Sequence, residues 1–194
     1  MKEYDYRNCQ SLFGYAAKVH ERSGGVCQLC GAGSAGLDFD LWRQLSVEHL
    51  IGESQGGYLH QIKDSLRARF PAVSSTEIIQ LAASIDTANT VTACSFCNST
   101  TSRDQAPVSM TELIQTAPDG PLDAVLKLVT AALESILVGK KRDVLWKLAS
   151  VRRAFDTHAA PALEEARLVA VPTHASVSSA DVDLIREDRP EAST

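Results

Sequence analysis

Four cysteines in this chain fall into two identical spacings, Cys27-Gln28-Leu29-Cys30 and Cys94-Ser95-Phe96-Cys97. Two such knuckles offer four thiolates, the donor set that closes a tetrahedral structural zinc site. A disulfide reading needs an oxidising compartment, and a thioredoxin-like reading needs a βαβ setting that surrounds neither pair. Cys9, the fifth, reads as a buried or incidental thiol. The 63 residues between Cys30 and Cys94 exceed what a simple zinc ribbon needs, so the metal is expected to clamp the two ends of a larger module. Inside that module the stretch SVEHLIGESQGG sets a carboxylate, Glu48, beside an imidazole, His49, where an apolar run gives way to a glycine-ending loop. A histidine there is a core residue, a metal ligand or a general base suited to neutral pH. Asn89 precedes the second knuckle and Asn98 follows it, each open to a plain turn or cap role.

Short elements must position these groups. Residues 4–22 carry Leu12, Tyr15, Ala16 and Val19 at helical spacing, and Ser23-Gly24-Gly25 stops that helix. VCQLCG reads as a strand edge entering the first knuckle, with Gly31 available for positive φ. LDFDLWRQLSVEHL contains a strand that ends near His49. Tyr58 to Thr87 is helical in pattern. Leu59, Ile62, Leu66 and Phe70 form one stripe, Pro71 ends it, and Ser74 with Glu77 makes a capping box for a second helix. TVTA then returns to a strand that leads into the second knuckle. Ser109 with Glu112 caps a short helix, and Pro121 opens a longer one on which Leu122, Val125, Leu126, Val129, Leu133 and Ile136 recur at helical spacing. Gly139 is expected to break it. A new helix follows, with Trp146 packed in the core, and PALEEARLVAV adds a short one. From Pro172 onward the Ser, Asp and Glu content predicts a disordered tail.

The pattern predicts an α+β fold. Its expected parts are an N-terminal helix at 1–22, a metal-stapled module at 23–106 with a helical insertion at about 58–87, a helical extension at 107–171 and a tail at 172–194. A length of 194 residues and an apolar fraction of 44% suffice for one ordinary domain or a small domain with an appendage. No apolar run reaches the length of a membrane span, and the N-terminus lacks an apolar signal region, so a cytoplasmic protein is expected. A net charge of −5 argues against a general nucleic-acid coat protein but leaves room for a local basic face.

Taken in order, CQLCG, VEHLIGESQGG and NTVTACSFCNS resemble the HNH endonucleases, the ββα-metal nucleases with a four-cysteine zinc site. The resemblance covers about residues 20–105. It implies that Cys27, Cys30, Cys94 and Cys97 hold a structural zinc. It implies that His49 is the general base that activates water against a phosphodiester, that Glu48 and Asn98 hold a catalytic Mg²⁺ or Mn²⁺, and that Asn89 steadies the loop and the histidine. A hard cation of that kind takes carboxylate and amide oxygens and stabilises a leaving 3′ oxygen. The sequence departs from the family pattern in four ways. Glu48 stands where Asp or His is commoner, and Gly52 where proline is frequent. Thr101 stands where a lysine often follows the final Cys-Asn, with Arg103 nearby. His49 and Asn89 are 40 positions apart, which makes Tyr58 to Thr87 an insertion.

The resemblance thus implies metal-dependent hydrolysis of DNA, in keeping with restriction or defence. The alternative is a zinc-stabilised DNA- or partner-binding module that has lost catalysis, a reading that the missing lysine and Glu48 favour. Lys63, Arg67, Arg103 and the basic run Lys140, Lys141, Arg142 are candidates to meet phosphates, the run being otherwise a solvated helix face. The apolar helix from Leu122 to Leu137 would supply either a homodimer face or cover for the module.

Overall fold

One antiparallel pair of strands organises the computed structural model, which describes residues 14–101 and 105–169. β1 (Leu45–His49) pairs with β2 (Thr90–Cys94) in the register Leu45↔Cys94, Val47↔Thr92 and His49↔Thr90. Side chains alternate along a strand. Leu45, Val47 and His49 therefore share one face of the ribbon with Cys94, Thr92 and Thr90, and Ser46 and Glu48 share the other with Ala93 and Val91.

The first face is covered by α1 (Gly14–Ser23) through polar contacts. Thr92 Oγ1 donates to Val19 O at 3.2 Å and accepts from Ser23 Oγ at 2.8 Å, and His20 Nδ1 lies 3.0 Å from the same hydroxyl. A hydroxyl has one proton to give, so the His20 Nδ1–H is the donor, and its buried Nε2 has no partner among the described residues. Arg22 donates to Thr90 O at 3.1 Å and to its hydroxyl at 2.9 Å. A single helical turn, α2 (Phe39–Trp42), capped by Asp38, leads into β1.

The insertion is a helical hairpin, α3 (Leu59–Arg69) and α4 (Ser75–Asn89). Pro71 follows the end of α3, and Ser74 and Glu77 cap α4 reciprocally as the spacing predicts. Ile62 and Leu66 of α3 and Ile78, Leu81, Ala82 and Ile85 of α4 are buried in one core with Leu50, Ile51 and Val91. After β2 the chain runs straight into α5 (Ser95–Thr101), which packs against both strands. α6 (Met110–Gln115), capped by Ser109 and Glu112, and the long α7 (Leu122–Ala154) add Met110, Leu113, Ile114, Val125, Val129, Leu133 and Ile136 to the same core. The apolar stripe of α7 is thus used inside the chain. The fold is α+β.

The described residues up to Leu148 form one compact unit and those from Ala149 a second. The second holds the end of α7, a π-helical turn at Phe155–Ala159 and α8 (Ala160–Val169), with Arg152 Nε 2.9 Å from Asp156 Oδ1. Among the described residues no helix is long and apolar enough to cross a membrane.

Three expectations need correcting. The approach to the first knuckle is a series of turns, since Cys27 N bonds to Ala32 O within its own loop instead of entering a ladder. Gly139 does not break α7. A glycine inside a helix costs only about 1 kcal/mol relative to alanine, and buried Ile136, Lys140 and Val144 anchor the helix on both sides of it. Trp146 is 71% exposed, because it lies two residues, more than half a helical turn, past buried Val144. Cys9, Arg103, the start of the 4–22 helix and the tail from Pro172 lie outside the described residues.

Candidate metal centre and candidate active site

Both knuckles are built at the end of another element. Gly31, at φ +81°, closes the first with its N–H on Cys27 O at 2.8 Å. Cys94 ends β2 and Cys97 lies in the first turn of α5. Gln28 ties the knuckles together. Its N–H donates to Thr92 O at 2.8 Å, and its side-chain oxygen accepts from Thr92 N at 3.1 Å. The four sulfurs lie within 4.8 Å of one another, and Cys30 Sγ and Cys94 Sγ are 3.9 Å apart. A tetrahedral ion with Zn–S bonds of about 2.3 Å needs sulfurs about 3.8 Å apart, so this donor set fits a metal ion held by four thiolates. Without a cation the thiols oppose one another. The shared contacts of the cluster hold the Cys27 pKa low and push Cys97 up, and burial pushes Cys30 up to about 11. A bound metal removes the conflict, because it stabilises all four as thiolates.

His49 ends β1 and is half-buried between two tyrosines. Its ring lies 4.6 Å from that of Tyr58 and 6.4 Å from that of Tyr15, whose hydroxyl is 3.5 Å from Nε2. Burial lowers the His49 pKa, and buried Asp86 of α4 pulls it back up. Burial likewise raises Asp86. The imidazole is thus biased toward the neutral form that can take a proton near pH 7.

The loop beyond it is fixed by Asn89, which is fully buried. Asn89 Oδ1 accepts from Ile51 N at 2.9 Å, and its amide donates to Ile51 O at 3.0 Å and Gly57 O at 2.9 Å. Its own carbonyl accepts from Leu50 N at 2.8 Å. Gly57 has no alternative here, since a Cβ would stand 1.7 Å from Ile51 O. Asn89 thus holds the backbone of Leu50, Ile51 and Gly57, just beyond His49.

Glu48 points the other way. It is buried, and Oε1 accepts from Lys140 Nζ at 2.8 Å with both side chains under a tenth exposed, at 5% and 9%. The same ammonium lies 3.4 Å from Thr101 O, and Lys147 Nζ lies 3.2 Å from Thr100 O. Two lysines of α7 thus reach the last carbonyls of α5, where the helix dipole favours cations. An ammonium therefore comes to Thr101, the position at which the motif lysine is missing.

This arrangement does not fit a resident Mg²⁺ or Mn²⁺ on Glu48. The carboxylate faces away from His49 and is neutralised by an internal cation. Asn98 is half-buried on α5, one turn before Thr101. Among the described residues, the four cysteines form the one group of three or more His, Cys, Asp or Glu side chains close enough to share an ion.

Of the basic residues, Lys140 is buried and so is withdrawn from any nucleic-acid surface. Its place was readable, since it continues the buried stripe of Val129, Leu133 and Ile136 in helical phase. Lys141 and Arg142 are exposed, Arg67 lies 3.5 Å from Asp64, and Lys63 acts electrostatically on Asp86. Tyr15, Tyr58 and Asp86, which surround His49, carry no motif; only the tertiary packing brings them there. Compared with family models, curated proteins and solved structures, the chain matches none of them.

Proposed function

We propose that this chain is an endonuclease of the HNH type that hydrolyses DNA phosphodiester bonds, with a zinc ion held by Cys27, Cys30, Cys94 and Cys97. One observation carries the reading. His49 ends the first of two antiparallel strands and is biased to neutrality by burial, and a buried asparagine clamps the following loop. The second strand then runs into a helix across the cysteine cluster.

In the reaction His49, its ring flanked by Tyr58 and Tyr15, takes the proton of a water that attacks phosphorus in line. The zinc is structural, because four thiolates leave it no open position. A Mg²⁺ or Mn²⁺ ion would supply charge for the leaving 3′ oxygen. Glu48 as it stands is committed to Lys140, so we assign that ion no step. Exposed Lys141 and Arg142 are proposed as phosphate contacts.

The Glu48–Lys140 pair favours a second reading, a zinc-stapled module that binds DNA or a protein partner without cutting it. Incubating supercoiled plasmid with the zinc-loaded protein in Mg²⁺, Mn²⁺ or no added ion separates the two. The nuclease reading expects nicking that His49→Ala lowers by at least about a hundredfold with its thermal midpoint unchanged. Retarded DNA that is never cut under any ion gives the case to the binding module.

A further inference from the structure

We infer that Lys140 and a divalent cation compete for the Glu48 carboxylate, so that Lys140 governs whether the ribbon can hold a hard ion beside α5. The nuclease reading supplies the reason to expect such an ion, and the competition itself follows from the packing.

Lys140 Nζ sits at hydrogen-bond distance, 2.8 Å, from Glu48 Oε1, so a cation bound to that carboxylate would share it with the ammonium. It is not a loose surface side chain. α7 is helical without interruption on both sides of it, and Val144 one turn later is fully buried against Ala93, Cys94 and Cys97. The carbonyl of Thr101 adds negative potential on the same ammonium, and Lys147 makes the matching contact to Thr100 one residue earlier on α5. The ammonium is thus held by a carboxylate, a helix C-terminus and its own packed helix.

A hard divalent ion binds by taking carboxylate charge and keeping several waters. To do so at Glu48 it would have to approach a buried ammonium closely, and like charges in a dry interior repel far more strongly than in water. Ion entry and the Glu48–Lys140 pair are therefore alternatives. The chain carries its own counter-ion at this carboxylate, and the four cysteines leave that role to a metal.

The test is a Mn²⁺ titration of the zinc-loaded protein, with free Mn²⁺ read by electron paramagnetic resonance, on the parent, Lys140→Met, Lys140→Arg and the double variant Glu48→Gln/Lys140→Met. Removing the ammonium should tighten binding of one Mn²⁺ by on the order of tenfold or more. Lys140→Arg should bind as the parent does, and the double variant should lose the gain. Should Lys140→Met not fold alone, Lys140→Gln leaves Glu48 a hydrogen-bond donor without the charge and takes its place in the titration. Equal Mn²⁺ affinity in the parent and the uncharged variants overturns the competition, as does a gain that survives Glu48→Gln.

Cleavage plays no part in this readout. A parent that cuts no DNA under any ion, beside a Lys140→Met variant that gains Mn²⁺, sinks the nuclease reading and leaves the competition standing. A parent that cuts DNA and binds Mn²⁺ as tightly as Lys140→Met sinks the competition alone.

Discussion

The two faces of the β1–β2 ribbon bury polar groups by opposite means. On the α1 face a string of neutral or half-exposed groups, His20, Ser23, Thr90, Thr92 and Arg22, share hydrogen bonds, and His49 stands at its end. On the other face Val91 and Ala93 are buried, and one buried ion pair, Glu48–Lys140, holds the polarity. Adjacent residues of one strand, Glu48 and His49, therefore live in different surroundings. Here the pleat sends Glu48 and His49 to opposite sides.

Both faces depend most on the cysteines, which join the loop after α1 to β2 and α5. Stripping metal with a strong chelator, or replacing Cys97 by Ser, should cost on the order of 10 kcal/mol of folding free energy, the scale of a structural zinc site. Circular dichroism should then lose both faces together. A chain that keeps its cooperative thermal transition after full demetallation would show that the cysteines do not carry the fold.

Next in size is the ion pair. Lys140→Met without divalent ion takes the ammonium from buried Glu48 and should destabilise the chain by about 3–5 kcal/mol. Glu48→Gln with Lys140→Met should recover most of that loss in urea unfolding. A single variant as stable as the parent would place the pair in solvent instead of the interior.

The smallest effect belongs to the hydrogen-bonded face and shows as a pH slope. Burial lowers the His20 pKa from its ordinary 6.5, so the unfolded chain binds a proton more readily than the folded one. Stability is then greatest above about 6.5, falls as the pH drops below it, and levels off once the folded pKa is passed. His20→Asn, which keeps a donor for Thr92, should flatten part of that slope between about pH 8 and about pH 5. His49, lowered by the same cause, keeps the remainder. An unchanged slope would mean that His20 titrates freely.

Much of this was legible in the residues. Capping boxes at Ser74–Glu77 and Ser109–Glu112 marked helix starts because a side chain three residues on must satisfy orphan N–H groups locally. The cysteine spacing revealed the cluster because ligand geometry is as local as a cap. Gly139 misled because one weak propensity was set against a buried stripe that runs past it. Trp146 misled because size alone suggested a core place, whereas its phase relative to Val144 faced it outward. The partners of His49 and Glu48 were illegible, since each comes from an element far along the chain, and only packing in three dimensions decides which helix covers which face.

The amide of Asn89 has one more consequence. It joins Gly57 O to the residue that precedes β2, so the whole helical hairpin leaves and re-enters the ribbon at a single stapled point. The exposed turn at Pro71 and Ala72 lies at the far end of that hairpin. A backbone cut there would leave two fragments, each carrying one strand and one knuckle. Expressed separately, the fragments would have to find each other for any metal to acquire its four sulfurs, and this chain is thereby a template for a split protein whose reassembly is read out by metal uptake.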